Sequence, residues 1–163
     1  MYLNQRRNFL KYSFLGSSVF IMNGCELFSV TTIHDTIKVL HTDLFPKANE
    51  LQIETSNYIS IILHHERVTK EDKIFLKNGV KWLNEASASM YKKTYTKLLF
   101  QERQELLHAI VQKEWGESWL HTVMTYLFEA MLGDPIYGGN NNEAGWKWLS
   151  FEGGLPRPTK AYL

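Results

Sequence analysis

An all-α fold, a small bundle of about five helices with an irregular Gly/Trp-rich C-terminal arm, is what this sequence predicts. Three observations carry that expectation. Between Ile33 and Met131 the apolar residues recur every three or four positions, the period of a helix with one buried face. No stretch alternates apolar and polar side chains as a half-buried strand does. From Gly133 onward, glycine, proline, asparagine and tryptophan replace the helical period. The 163 residues are 44% hydrophobic and 21% charged, enough for one core but not for two.

The first helix starts near Ile33 and shows Ile37, Leu40 and Leu44 on one face, with Pro46 as its stop. A second apolar segment holds Tyr58, Ile59, Ile61, Ile62 and Leu63. Its β-branched content also suits a strand, and its helical surroundings favour a helix. Thr69 is placed to cap a third helix, with Glu71 and Asp72 in the first turn where the positive end of the dipole lies. Its expected buried face is Ile74, Phe75, Trp82, Leu83, Ala86 and Met90. Gly79 sits inside that helix at a cost of about 1 kcal/mol relative to alanine. A fourth helix runs from about Phe100 through Leu106, Leu107, Ile110 and Val111. The fifth carries the stripe Trp119, Leu120, Val123, Met124, Leu127, Phe128 and Met131, with Ser118 as its cap and Gly133-Asp134-Pro135 as its end.

The chain start has the layout of an export signal. Arg6-Arg7-Asn8-Phe9-Leu10-Lys11 precedes an apolar run from Tyr12 to Met22, too short to span a bilayer. It resembles the twin-arginine signal, matched at Arg6, Arg7, Phe9, Leu10 and Lys11, with Gln5 where Ser or Thr is usual. Cys25 follows Ile21-Met22-Asn23-Gly24, which resembles a bacterial lipobox with atypical residues at Met22 and Asn23. Lipidation of Cys25 and a chance cysteine ending an ordinary signal both remain open. Residues 1–25 are thus expected to be a signal peptide, 26–132 a helical domain, and 133–163 an arm belonging to that domain. The expected location is the periplasm, by the twin-arginine translocase, with a lipid anchor if Cys25 is modified.

Composition excludes several kinds of chemistry. The net charge is +1, which gives no electrostatic reason to bind nucleic acid. Residues 1–24 hold three bases and no acid, so the remainder has 15 of the 18 bases against 17 acids. A single cysteine forms no intrachain disulfide and builds no Cys-rich zinc or iron–sulfur site. There is no CxxCH, no GxGxxG after a strand, no phosphate-cradling GK[ST] loop and no GxSxG elbow. His64-His65-Glu66 lacks the four-residue spacing that puts two imidazoles on one helix face. His121 and Glu129 lie on the polar side of the fifth helix, without a third ligand or a nucleophile. No catalytic residue, metal site or cofactor site is expected in this chain.

The arm reads Gly133-Asp134-Pro135-Ile136-Tyr137-Gly138-Gly139-Asn140, then Gly145-Trp146-Lys147-Trp148, then Ser150-Phe151-Glu152-Gly153-Gly154. Large rigid aromatics among glycines suit an arm laid over a partner. They suit equally an arm that wraps the chain's own helices. The two words Asp134–Asn140 and Gly145–Lys147 closely resemble subunit 3 of the gluconate 2-dehydrogenase family. The family's closing Gly-Phe-Pro-Gly is altered here to Phe151-Glu152-Gly153-Gly154.

That resemblance implies a complex. Its large subunit is a flavoprotein, carrying FAD, that oxidises a sugar, sugar acid or polyol. A multihaem cytochrome c subunit, carrying haem c, takes the electrons onward. The small subunit is implied to be a non-catalytic companion assisting export, assembly and stability of the flavoprotein. It implies an interface role for Tyr137, Gly138, Gly139, Asn140, Trp146 and Trp148. Twin-arginine export carries folded proteins, which fits a partner that acquires its cofactor before crossing. The competing readings are a free-standing periplasmic lipoprotein that binds something else, and a small enzyme using His121, Glu129 or the arm.

Overall fold

The computed structural model describes residues 30–161. Arg6, Arg7, Phe9, Leu10, Lys11 and Cys25 lie outside the described residues. Seven α-helices and no strand occur among the described residues: α1 (Val30–Leu44), α2 (Pro46–Glu50), α3 (Thr55–His64), α4 (Lys70–Tyr91), α5 (Phe100–Val111), α6 (Glu114–Leu132) and α7 (Ala144–Trp148). Short 3₁₀ turns cover Tyr95–Lys97, Pro135–Tyr137 and Asn141–Glu143. The class is all-α, as the periodicity predicts. None of the described helices is long and apolar enough to cross a membrane.

The helix α6 is the axis of the assembly. It packs against α1, α3, α4, α5 and α7. Its buried stripe is Trp119, Leu120, Val123, Leu127, Ala130 and Met131. Around it gather Ile37 and Leu40 of α1, Ile59 and Ile62 of α3, Leu76, Val80 and Leu83 of α4, and Leu106 and Ile110 of α5. Each fully buried side chain of this size contributes roughly 1.5–3 kcal/mol of transfer free energy. The apolar segment of residues 58–63 is helical because Tyr58, Ile59 and Ile62 share the face turned to α6 and α1.

Several boundaries differ from the sequence expectation. Pro46 stops α1 as expected, after Leu44, and the chain then re-enters a helix at once. The proline opens α2 at the first helical position, where its missing N–H has no intrahelical partner to lose, and the break falls at Phe45. Thr69 caps α4 as expected, its hydroxyl accepting from Asp72 N at 3.1 Å. The buried face of α4 is rotated from the expected one. Ile74 and Met90 are 55% and 49% exposed, and Leu76, Val80, Asn84 and Ser87 face inward with Leu83. Ser118 is not a cap, because α6 begins a turn earlier, after extended Lys113. Glu114 and Glu117 then occupy the first turn, where negative charge is favoured.

Gly79 has a packing reason. A Cβ there would overlap the indole of Trp119, which crosses α4 at that point and donates from Nε1 to Leu76 O at 3.2 Å. The helix-propensity cost is offset by the close seating of α6 on α4.

A buried polar network ties α1, α4 and α5 together. Asp43 Oδ2 accepts from Tyr95 Oη at 2.6 Å and from Arg103 Nε at 2.7 Å. Arg103 Nη1 also donates to Leu98 O at 2.6 Å. Asn84 Oδ1 accepts from Tyr95 N at 3.0 Å. Because the buried carboxylate is both paired and hydrogen-bonded, it fixes geometry without leaving an uncompensated charge. Burial, and then Asp43, push the Tyr95 phenol far above its ordinary range.

Candidate interaction face

The arm is built on an unsolved problem at the end of α6. The last carbonyls of a helix have no intrahelical donor. Asn140 Nδ2 donates to Gly133 O at 3.0 Å, and Trp146 Nε1 donates to Leu132 O at 2.6 Å. Asn140 Oδ1 in turn accepts from Gly145 N at 2.8 Å, closing the loop between the two words of the arm. Asp134 opens the connecting 3₁₀ turn by accepting from Ile136 N at 3.0 Å. Gly138 ends that turn at φ +74°, in the left-handed region. Gly145 lies so close to the Met131 carbonyl that a Cβ would overlap it. The carbonyl of Gly139 accepts from Glu54 N at 3.1 Å, binding the arm to the start of α3.

A second layer locks this clasp. The Arg157 guanidinium lies 4.3 Å from the centroid of the Trp146 ring. It pairs with Asp134 and Glu143, each at 3.3 Å. Phe151 meets Trp146 edge-on at 5.4 Å.

The expected interface residues therefore divide. Gly139 and Asn140 are buried, Asn140 completely, and Trp146 is only 8% exposed. Asn140 and Trp146 place their side-chain donors on the end carbonyls of α6, and Gly139 packs against Ala130 of that helix while its own carbonyl accepts from Glu54. Tyr137 and Gly138 are partly exposed, and Trp148 is 42% exposed. Of the two readings of the arm, the structure supports wrapping the chain's own helices for its glycine, asparagine and Trp146 core.

What the clasp leaves outside is an apolar face. Phe128 is edge-on to Phe45 at 5.4 Å, and Phe45 to Trp148 at 5.9 Å. Phe128 and Leu132, one turn apart on α6, are each 36% exposed. Leu149, Phe151 and Leu155 follow on the arm at 51%, 55% and 87%. Beside Phe128 lies an open groove of about 730 Å³ lined by Tyr58, Thr125, Phe128, Glu129, Leu132, Gly133 and Tyr137. Tyr58 Oη donates to Glu129 Oε2 at 3.0 Å. Burial, reinforced by that carboxylate, pushes the Tyr58 phenol well above its usual value.

Phe128 was expected in the buried stripe of α6, and it lies instead at the edge of that stripe with Leu132 one turn on. That Phe45 and Tyr58 meet Phe128 and Glu129 depends on how the ends of α1 and α3 pack on α6, which no local signal in the sequence announces.

The polar candidates are not brought together as a site. His121 is exposed and stands eight residues, about 12 Å of helix, from Glu129. His64 and His65 sit at the end of α3, where their ring nitrogens meet Ser60 O and Arg67 N. Among the described residues no group of three or more His, Cys, Asp and Glu is placed to hold a metal ion. The deeply buried histidine is His41 of α1, 2% exposed, with Nε2 3.3 Å from Val123 O. Burial lowers its pKa to about 4.

Comparison with the curated proteins and with the solved structures finds no match. A family model does match, over residues 31–154, from the first turn of α1 through the clasp on α6. Its description is gluconate 2-dehydrogenase subunit 3, a name that makes its members one subunit of a multi-subunit dehydrogenase. The chain belongs to the gluconate 2-dehydrogenase subunit 3 family.

Proposed function

We propose that this chain is the non-catalytic small subunit of a periplasmic, flavin-dependent dehydrogenase. In this reading it assists export, assembly and stability of the catalytic flavoprotein. The FAD belongs to that flavoprotein and haem c to a multihaem cytochrome c subunit. The substrate is a sugar, sugar acid or polyol held by the large subunit. Arg6 and Arg7 address the assembled pair to the twin-arginine translocase, and Cys25, where lipidated, tethers it to the membrane.

The observation that carries the reading is the apolar face of Phe45, Phe128, Leu132 and Trp148, in a chain of this family. Aromatic side chains clustered on a rigid support are the usual energetic centre of a protein interface. The support here is the clasp, which holds Trp148 one residue beyond the anchored Gly145-Trp146-Lys147 word.

The test is co-expression with the flavoprotein large subunit of such a dehydrogenase. Replacing Arg6 and Arg7 by lysine should strand the flavoprotein in the cytoplasm and remove periplasmic dehydrogenase activity. Unchanged export of an active flavoprotein would overturn the companion role. A chain that is exported and captures no flavoprotein would favour the free-standing lipoprotein instead.

A further inference from the structure

We propose that the groove beside Phe128 receives a cationic side chain, arginine or lysine, carried on an otherwise apolar segment of the flavoprotein partner. This rests on the reading that the adjoining face docks that subunit. The argument is one of charge and shape. The walls of the groove are aromatic and aliphatic: Tyr58, Tyr137, Phe128 and Leu132. The ionisable group among them whose charge lacks a counterpart is the Glu129 carboxylate. Among the described residues no cation pairs with it, and its one side-chain hydrogen bond comes from Tyr58. Arg157 of the arm is already committed to Asp134, Glu143 and the Trp146 ring.

Tyr58 fixes Glu129 through Oε2 and leaves Oε1 without a hydrogen bond. Glu129 is itself exposed at the edge of the groove, and a carboxylate beside aromatic side chains matches a guanidinium closely, because that group both stacks on rings and forms charge-assisted hydrogen bonds. An ammonium meets the same charge with less contact to the rings. A purely apolar occupant would leave the carboxylate desolvated and unpaired, which is costly. A second copy of this chain facing the groove across a twofold axis would bring a second Glu129 towards the first, and like charges oppose that arrangement.

The experiment is calorimetric titration of the full chain with the purified flavoprotein subunit, at low and at moderate salt. Glu129→Gln keeps an oxygen acceptor for Tyr58 and removes the charge. It should weaken binding at least about tenfold and flatten the dependence on salt. Glu129→Lys should bind weaker still. Leu132→Asp serves as a probe of the face itself, and melting curves check that each variant is folded. If Glu129→Lys binds within about twofold of the wild type, the cation is overturned. Loss of binding by Leu132→Asp in that case leaves the docking face standing, and wild-type binding by both variants removes the face as well. Self-association of the chain through the groove, abolished by Phe128→Ala while flavoprotein binding persists, would also overturn the proposal.

Discussion

Replacing Trp146 by alanine separates a clasp from a contact. The side chain is 8% exposed, so the substitution removes nearly its whole ring from packed surroundings. Truncation of a buried tryptophan costs about 3–5 kcal/mol. Within that total lie three losses that do not simply add. Leu132 O loses its Nε1 donor at 2.6 Å, a part-buried bond worth about 0.5–1.5 kcal/mol. Arg157 loses the ring 4.3 Å away, roughly 0.5–2 kcal/mol. Phe151 loses its edge-on neighbour at 5.4 Å, about 0.5–1.5 kcal/mol. For a domain of this size the sum should lower the melting temperature by roughly 10–20 °C. Trp146→Phe should cost less, about 0.5–1.5 kcal/mol, because the ring remains and the donor is gone. The assay is urea and thermal unfolding of the isolated chain, followed by circular dichroism. An isolated Trp146→Ala chain that melts with the wild type would refute the clasp. Trp146 would then be holding something other than α6.

Other positions give independent checks. Gly79→Ala gains about 1 kcal/mol of helix propensity but forces a methyl into the Trp119 indole, so the net change should be a loss of at least about 1–3 kcal/mol. A gain in urea-melt stability would show that the α4–α6 contact is looser than described. His41 predicts a pH dependence. Its folded pKa of about 4 lies below the ordinary 6.5, so the unfolded chain binds the proton first. Stability should therefore be intact above pH 6.5 and fall as pH drops towards 4, by about 2 kcal/mol at pH 5. Urea melts between pH 7 and 4.5 measure this slope, and a His41→Leu chain should lose its share of it. An unaltered slope in that variant would place the titration elsewhere.

The helical class was legible because α6 carries an almost complete record of its surroundings, with Trp119, Val123 and Leu127 at core spacing. The direction of α4 was not. Ile74, Phe75 and Trp82 look like the apolar face, yet a glycine and two small polar residues face inward, because Trp119 needs the space at Gly79 and Asn84 reaches Tyr95. Hydropathy counts a glycine as absence, whereas packing uses it as room. Pro46 does end α1, and the short α2 that it opens was not legible, because the same fixed φ that stops one helix suits the first position of another.

The arm shows the same limit at the site. Asp134, Gly138, Asn140 and Trp146 stood out in the sequence as a word, and the word marks a real structure. Its meaning depended on atoms the sequence does not place together, the end carbonyls Leu132 O and Gly133 O. What the clasp leaves exposed beside it is Phe128, Leu132 and Trp148, with Glu129 next to them.

The central claim is that the clasp is internal and the face it supports is the docking surface. Trp148→Asp tests it most directly. Trp148 is 42% exposed and touches Phe45 only edge-on, so the isolated chain should lose no more than about 1–2 kcal/mol. Size-exclusion chromatography of this variant with the flavoprotein subunit should give two separate peaks where the wild type gives one. A stable complex of unchanged size with Trp148→Asp would contradict the account.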